Sequence, residues 1–157
     1  MDFLPSRGRS GGILVGINKT TLVKREVEFG EYFVRVNFST VSDGFTWNLV
    51  VVYGDAQPLG KPKFLVELVH IFKKSKNPLL VAGDFYLTRK SSDKNKPGGY
   101  NKWSLLFNSI ITFGKMLELP LVGRKYTWSN NHEDPTYALL YRVLISLAWE
   151  DNFPLVH

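Results

Sequence analysis

The chain has 157 residues, 44% of them hydrophobic and 22% charged, with a formal net charge of +6. That balance excludes a disordered chain and supplies enough length for one domain, read here as residues 1–157, with a substantial core. There is no cysteine, so disulfides, thiolate zinc sites and thiol nucleophiles are excluded. No apolar run approaches the roughly 20 residues that a membrane span needs. The start, Met1-Asp2-Phe3-Leu4-Pro5, lacks the basic-then-apolar pattern of a secretory leader. The expectation is an intracellular protein, the nucleus included, with no membrane partner. A basic balance is compatible with a phosphate-bearing partner, DNA or RNA, through counterion release.

Residues 7–12 are rich in Gly, Ser and Arg and read as a loop. Residues 13–17 form a short apolar run fit for a buried strand. Residues 21–29 and 31–38, joined by Gly30, read as two paired strands. In the second, Tyr32, Val34, Val36 and Phe38 alternate with Phe33, Arg35 and Asn37, the period-two signature of a strand with two unlike faces. Ser42-Asp43-Gly44 is a turn signal, so residues 31–53 are read as a hairpin whose second strand covers 45–53. After Lys61-Pro62, the spacing of Phe64, Leu65, Leu68, Val69 and Phe72 predicts a helix, with Lys73, Lys74 and Lys76 at its end. Residues 78–82 read as a buried strand ending at Gly83-Asp84, and 89–100 as a polar loop. A second helix is predicted with Trp103, Leu106, Phe107, Ile110 and Ile111 on one side. Residues 126–129 and 139–146 read as closing strands, the latter with Leu140, Arg142 and Leu144 on one face and Tyr141, Val143 and Ile145 on the other. His70 and His132 read as surface residues. The order of elements gives a mixed α/β domain, with helices packed outside mostly antiparallel sheets.

Four segments carry a resemblance. They are Arg7-Gly8-Arg9-Ser10-Gly11-Gly12-Ile13, Val51-Val52-Tyr53-Gly54, Ala82-Gly83-Asp84-Phe85 and Gly123-Arg124-Lys125-Tyr126-Thr127-Trp128-Ser129-Asn130. In this order they resemble the endonuclease domain of plant non-LTR, LINE-type retrotransposons, within the endonuclease/exonuclease/phosphatase superfamily. The resemblance implies a DNase I-like fold. For this chain that is a partial four-layer α/β-sandwich, two mostly antiparallel sheets flanked by helices, incomplete at both ends. It also implies a magnesium-dependent phosphodiesterase site, in which a metal held by carboxylates neutralises the developing phosphate charge and helps activate water.

Carried over residue by residue, Tyr53 matches the family's strand-end tyrosine. Asp84 matches the first residue of its Asp-x-Asn motif, as a catalytic or metal-ligating carboxylate. The motif's asparagine is replaced by Tyr86, and the aspartate of a Leu-Asp-Arg segment by Tyr141. The family's early asparagine and glutamate motifs and its Ser-Asp-His motif have no counterpart, so no cofactor is expected to be retained. Arg7, Arg9, Arg124, Lys125 and Trp128 are the candidate nucleic-acid contacts. Each residue also has a plainer reading: Asp84 as a turn residue, Tyr53 as a strand aromatic, Trp128 as core, the basic residues as solvated loop charges. Three functions stay open: a degenerate, inactive endonuclease fragment, a residual non-specific nucleic-acid-binding module, and an active magnesium-dependent nuclease or phosphatase.

Overall fold

The computed structural model describes residues 2–4, 13–76 and 78–153, with side chains described from Ile13 onward, Leu14 excepted. The expected loop around Arg7 and Arg9 lies outside these residues. Three strands come from the turn chemistry and alternation of the first third of the chain: β3 (Leu22–Phe29), β4 (Phe33–Thr40) and β5 (Thr46–Tyr53). They follow a short antiparallel pair, β1 (Asp2–Leu4) and β2 (Ile13–Val15). The β4–β5 turn works as its sequence suggests: the Asp43 carboxylate accepts the Phe45 N–H at 3.0 Å, and Gly44 takes φ 71°. Alternation along β4 splits as expected, with Val34, Val36 and Phe38 buried on one side and Phe33 on the other. Tyr32 joins Phe33's side because it precedes the strand and does not share its pleat.

Helix α1 (Lys61–Lys74) carries the chain from β5 to β6 (Leu79–Asp84), which lies parallel to β5. Its apolar stripe buries Phe64, Leu65, Leu68 and Ile71. Its Glu67 carboxylate accepts the Glu31 and Tyr32 N–H groups at 2.7 and 3.0 Å, fastening the helix to the β3–β4 connection. Helix α2 (Lys102–Phe113) begins at a capping box in which the Asn101 side chain accepts the Trp103 and Ser104 N–H groups. It buries Phe107 and Ile111, whereas Leu106, expected on the inner side, is exposed. The two helices cover one face of the sheet, over a core that includes Val50, Val52, Val81 and Leu144.

The remaining strands are β7 (Met116–Glu118), β8 (Trp128–Ser129), β9 (Tyr137–Ala138) and β10 (Tyr141–Ser146), followed by α3 (Leu147–Asn152). The main sheet runs β3-β4-β5-β6-β10-β7, and β8 pairs with β9 apart from it. The closing strand expected at 126–129 is thus a two-residue ladder outside the main sheet, and β10 starts two residues later than expected, at Tyr141. The other face of the main sheet meets β2: Ile13 and Val15 pack with Val34, Val36 and Phe38. No helix among the described residues is long and apolar enough to cross a membrane.

Candidate active site

The site is assembled at one end of three neighbouring strands. Tyr53 closes β5, Asp84 closes β6 and Tyr141 opens β10. Tyr53 is the register partner of Asp84 in the parallel pair, and Tyr141 is its partner in the antiparallel pair. Register partners project from the same face of a sheet. All three side chains therefore leave the face away from α1 and α2, with Asp84 between two phenols.

The strand ends approach closely because two glycines permit it. A Cβ on Gly83 would stand 2.1 Å from the Val52 carbonyl oxygen, and its φ of 139° is disfavoured for side chains. A Cβ on Gly54 would stand 2.5 Å from the Phe85 carbonyl oxygen. Gly54 donates its N–H to the Asp84 carbonyl at 2.7 Å.

Asp84 is 2% exposed. Its Oδ1 accepts the Tyr86 N–H at 2.9 Å. Burial raises its pKa; the Tyr86 hydrogen bond and the nearby Lys61 charge oppose that shift without cancelling it. Tyr86 adopts φ 51°, a left-handed backbone that asparagine tolerates better than other side chains. Its hydroxyl lies 3.3 Å from that of Tyr53, and the rings meet edge to face at 5.7 Å. Burial pushes the Tyr86 phenol well above its usual value, with the Tyr53 hydrogen bond and the Asp84 charge adding to it. The Tyr141 phenol is raised by burial and then by Asp84, although the residue is 48% exposed. Phenols held this high are neutral at pH 7.

Sequence reasoning missed Lys61. Read as a helix start, it is nine-tenths buried, and its ammonium donates to the Tyr86 carbonyl at 2.6 Å and the Asp55 carbonyl at 3.0 Å. Burial lowers its pKa, against the pull of Asp55 and Asp84. The signal was an exposed-type residue placed just before the first buried turn of α1. Also missed was a buried ion pair between the polar loop and β10: Arg142 donates to Asp93 Oδ2 at 2.6 Å and to both Glu118 oxygens at 2.9 and 3.0 Å. It fixes the segment after Asp84 against the start of β10.

The candidate nucleic-acid residues do not gather in one place. Arg124 and Lys125 are exposed and border a cleft with Lys90 and Glu118, whereas Trp128 borders a different cavity with Lys61, Tyr86 and Trp103. Arg7 and Arg9 lie outside the described residues.

A divalent-metal centre of the kind the resemblance implies does not fit the donor set. Magnesium takes hard oxygen ligands, usually one or two carboxylates with phosphate oxygens and water. Asp84 is the carboxylate between Tyr53 and Tyr141; it is buried, hydrogen-bonded and close to an ammonium. Asp55, two residues beyond Tyr53, accepts the Gln57 N–H at 2.8 Å and the Tyr32 hydroxyl at 3.3 Å. Among the described residues no three His, Asp or Glu side chains group as metal ligands.

The same architecture recurs in solved structures. The endonuclease domain of TRAS1, a telomere-specific non-LTR retrotransposon, superposes with TM-score 0.58 at 12% identity, over 74% of this chain and 52% of that one. The DNase I-like fold is shared. The human Nocturnin catalytic domain matches at TM-score 0.56 and 12% identity, over 82% of this DNase I-like chain and 50% of its own. An endonuclease/exonuclease/phosphatase family protein from Bacteroides thetaiotaomicron matches at 0.52 and 12%, over 81% and 52%. The chain spans about half the length of these structures. No protein-family model matches it, and no curated protein does. At this identity the likeness is one of fold, and fold alone does not assign chemistry.

Proposed function

We propose that this chain is a degenerate, non-hydrolytic relative of retroelement endonucleases, of the kind carried by plant LINE-type elements. The observation that carries the reading is the flanking of Asp84 by Tyr53 and Tyr141, with Tyr86 in the place of a motif asparagine. The order of the four sequence segments and the fold shared with an endonuclease domain support the ancestry. Phenols on either side of one buried carboxylate do not make up the carboxylate set that magnesium usually takes. An asparagine at position 86 would be an oxyanion donor, a role worth about 10²- to 10³-fold, and the aspartate replaced by Tyr141 would act with it as one unit, so the two losses are not additive.

The test is plasmid nicking in magnesium or manganese by the purified chain and by Asp84→Asn. The expected result is no nicking that distinguishes the two. Metal-dependent nicking that vanishes in Asp84→Asn would overturn the reading, because a contaminating nuclease would not depend on Asp84.

A second reading, non-specific binding of DNA or RNA, is favoured by Lys90, Arg124 and Lys125 around one cleft. The two acidic residues there, Asp93 and Glu118, are both engaged by Arg142. If about four phosphates are neutralised, log affinity falls with log salt at a slope near −3 to −4. A flat salt dependence in a binding titration contradicts this second reading.

A further inference from the structure

The cleft lined by Lys90, Arg124 and Lys125 also contains a serine. Ser92 sits in a single 3-10 turn, Ser91–Asp93, and the sequence that leads to it is Arg89-Lys90-Ser91-Ser92. We propose that Ser92 is a phosphorylation site for a protein kinase that selects basic segments, and that its phosphate is then held in this cleft by Lys90, Arg124 and Lys125. The inference stands apart from hydrolytic silence and from nucleic-acid binding, since the phosphate belongs to the chain itself.

The sequence carries the address. Kinases choose substrates partly by charge pattern. An arginine stands three residues before Ser92 and a lysine two before it, and Lys94 and Lys96 follow. Lys90, Ser91 and Ser92 are all exposed. Ser91 has the arginine one residue closer and does not line the cleft.

The fold presents the hydroxyl. Asp93 accepts the Arg89 and Lys90 N–H groups at 2.7 and 3.2 Å and the Arg142 guanidinium at 2.6 Å. The Leu139 N–H donates to the Asp93 carbonyl at 2.7 Å. The turn is thus pinned at its buried end, while the Ser92 hydroxyl makes no hydrogen bond among the described residues. Arg89 is held by Asn108 and Glu118 at 2.6 and 3.1 Å and is 29% exposed. A kinase reads it once those contacts are released. Partly exposed pairs hold weakly, so the release is a local opening of the segment. In the transfer the Ser92 oxygen attacks the γ-phosphorus of ATP and the bond to the β–γ bridging oxygen breaks. ADP leaves, and the hydroxyl proton passes to the kinase's base.

The cleft receives the product. Its volume, about 490 Å³, is ample for a phosphoryl group. Lys90, Arg124 and Lys125 make no ion pair among the described residues, and the two carboxylates there, Asp93 and Glu118, are both engaged by Arg142. A phosphoserine carries a charge of about −1.5 to −2 at pH 7 and three acceptor oxygens, enough for one to three charge-assisted hydrogen bonds. Held there, it ties the turn at Ser92 to the segment at Arg124 and offsets most of the cleft's positive charge.

The test incubates the folded chain and Ser92→Ala with magnesium, ATP and a serine kinase that requires basic residues two and three positions before its target. Mass spectrometry is expected to map phosphate to Ser92. Phosphorus NMR then follows the resonance that Ser92→Ala lacks. A free phosphoserine titrates at about pH 6. Neighbouring cations favour the dianion, so the Ser92 phosphate is expected to titrate about 1 pH unit lower. An Arg124→Ala, Lys125→Ala double variant is expected to return it toward the free value. Both positions are exposed, so circular dichroism of that variant is expected to match the parent. Absence of phosphate at Ser92 overturns the proposal. So does a Ser92 phosphate that titrates like free phosphoserine in the parent, or at the same pH in the parent and the double variant.

Discussion

Tyr141 is the register partner of Asp84 across the β10–β6 ladder, so a phenol stands on the same sheet face as the buried carboxylate and directly beside it. That pairing determines what the strand-end site can do. It leaves Asp84 surrounded by groups that carry no negative charge, in a position where its own charge is disfavoured.

Asp84 is therefore expected to weaken the fold at neutral pH. Burial raises its folded-state pKa above the ordinary value of 3.8. In the window just above that value the folded state holds the proton more often than the unfolded state, so stability falls as pH rises through it. Asp84→Asn keeps the oxygen that accepts the Tyr86 N–H and lacks the titration. Its melting temperature is expected to exceed the parent's at pH 7, with a gap that shrinks as pH falls below the carboxylate range. Thermal melts across pH measure this; a gap independent of pH contradicts it.

Position 86 is expected to prefer asparagine. At φ 51° most side chains lose roughly 1–2 kcal/mol, and asparagine loses less. Tyr86→Asn is expected to be more stable than Tyr86→Val by about 1–2 kcal/mol in urea denaturation. Equal stability of the two variants would mean that the backbone there does not constrain the side chain.

Arg142 is 5% exposed, and Asp93 2%. Removing one partner strands a buried charge, a loss of about 3–5 kcal/mol in comparable pairs. Asp93→Ala is expected to fall in that range, with Glu118 limiting the damage because it also accepts from Arg142. A cost below about 1 kcal/mol, the level of an exposed pair, contradicts the burial argument.

Gly83→Ala is expected to disrupt the β5–β6 pair, since its Cβ would lie 2.1 Å from the Val52 carbonyl. Strain of this kind costs of order 1–3 kcal/mol before any clash is counted. Gly44→Ala, where nothing lies within 4 Å, carries the backbone cost alone and is expected to be the milder change. Equal midpoints for the two variants in urea would contradict this account.

The sequence made local features legible and left long-range ones hidden. The β4–β5 hairpin was readable because Asp43 and Gly44 specify its turn, and α1 because Phe64, Leu65 and Leu68 recur at helical spacing. The two-residue ladder at Trp128 looked like a core strand because an aromatic next to Thr127 and Ser129 has strand character whatever it pairs with. Met116–Glu118 is too short to show any period, and Leu106 looked internal because hydrophobicity does not report which apolar side chain meets the sheet. Of the site, Tyr53, Asp84 and Tyr141 were proposed from motif order and fall together in register. Lys61 and the Asp93–Arg142 pair were invisible because burial of a charge depends on partners distant in sequence.

The central claim, that the strand-end site holds no divalent-metal centre, is tested most directly by manganese titration of the parent chain, Asp84→Asn and Tyr141→Asp. Ligand binding to the folded state raises the melting temperature by mass action. The parent and Asp84→Asn are expected to show the same small, non-saturating response, whereas Tyr141→Asp, which places a second carboxylate beside Asp84, is expected to show a larger, saturable one. Saturable binding by the parent that Asp84→Asn abolishes would contradict the claim.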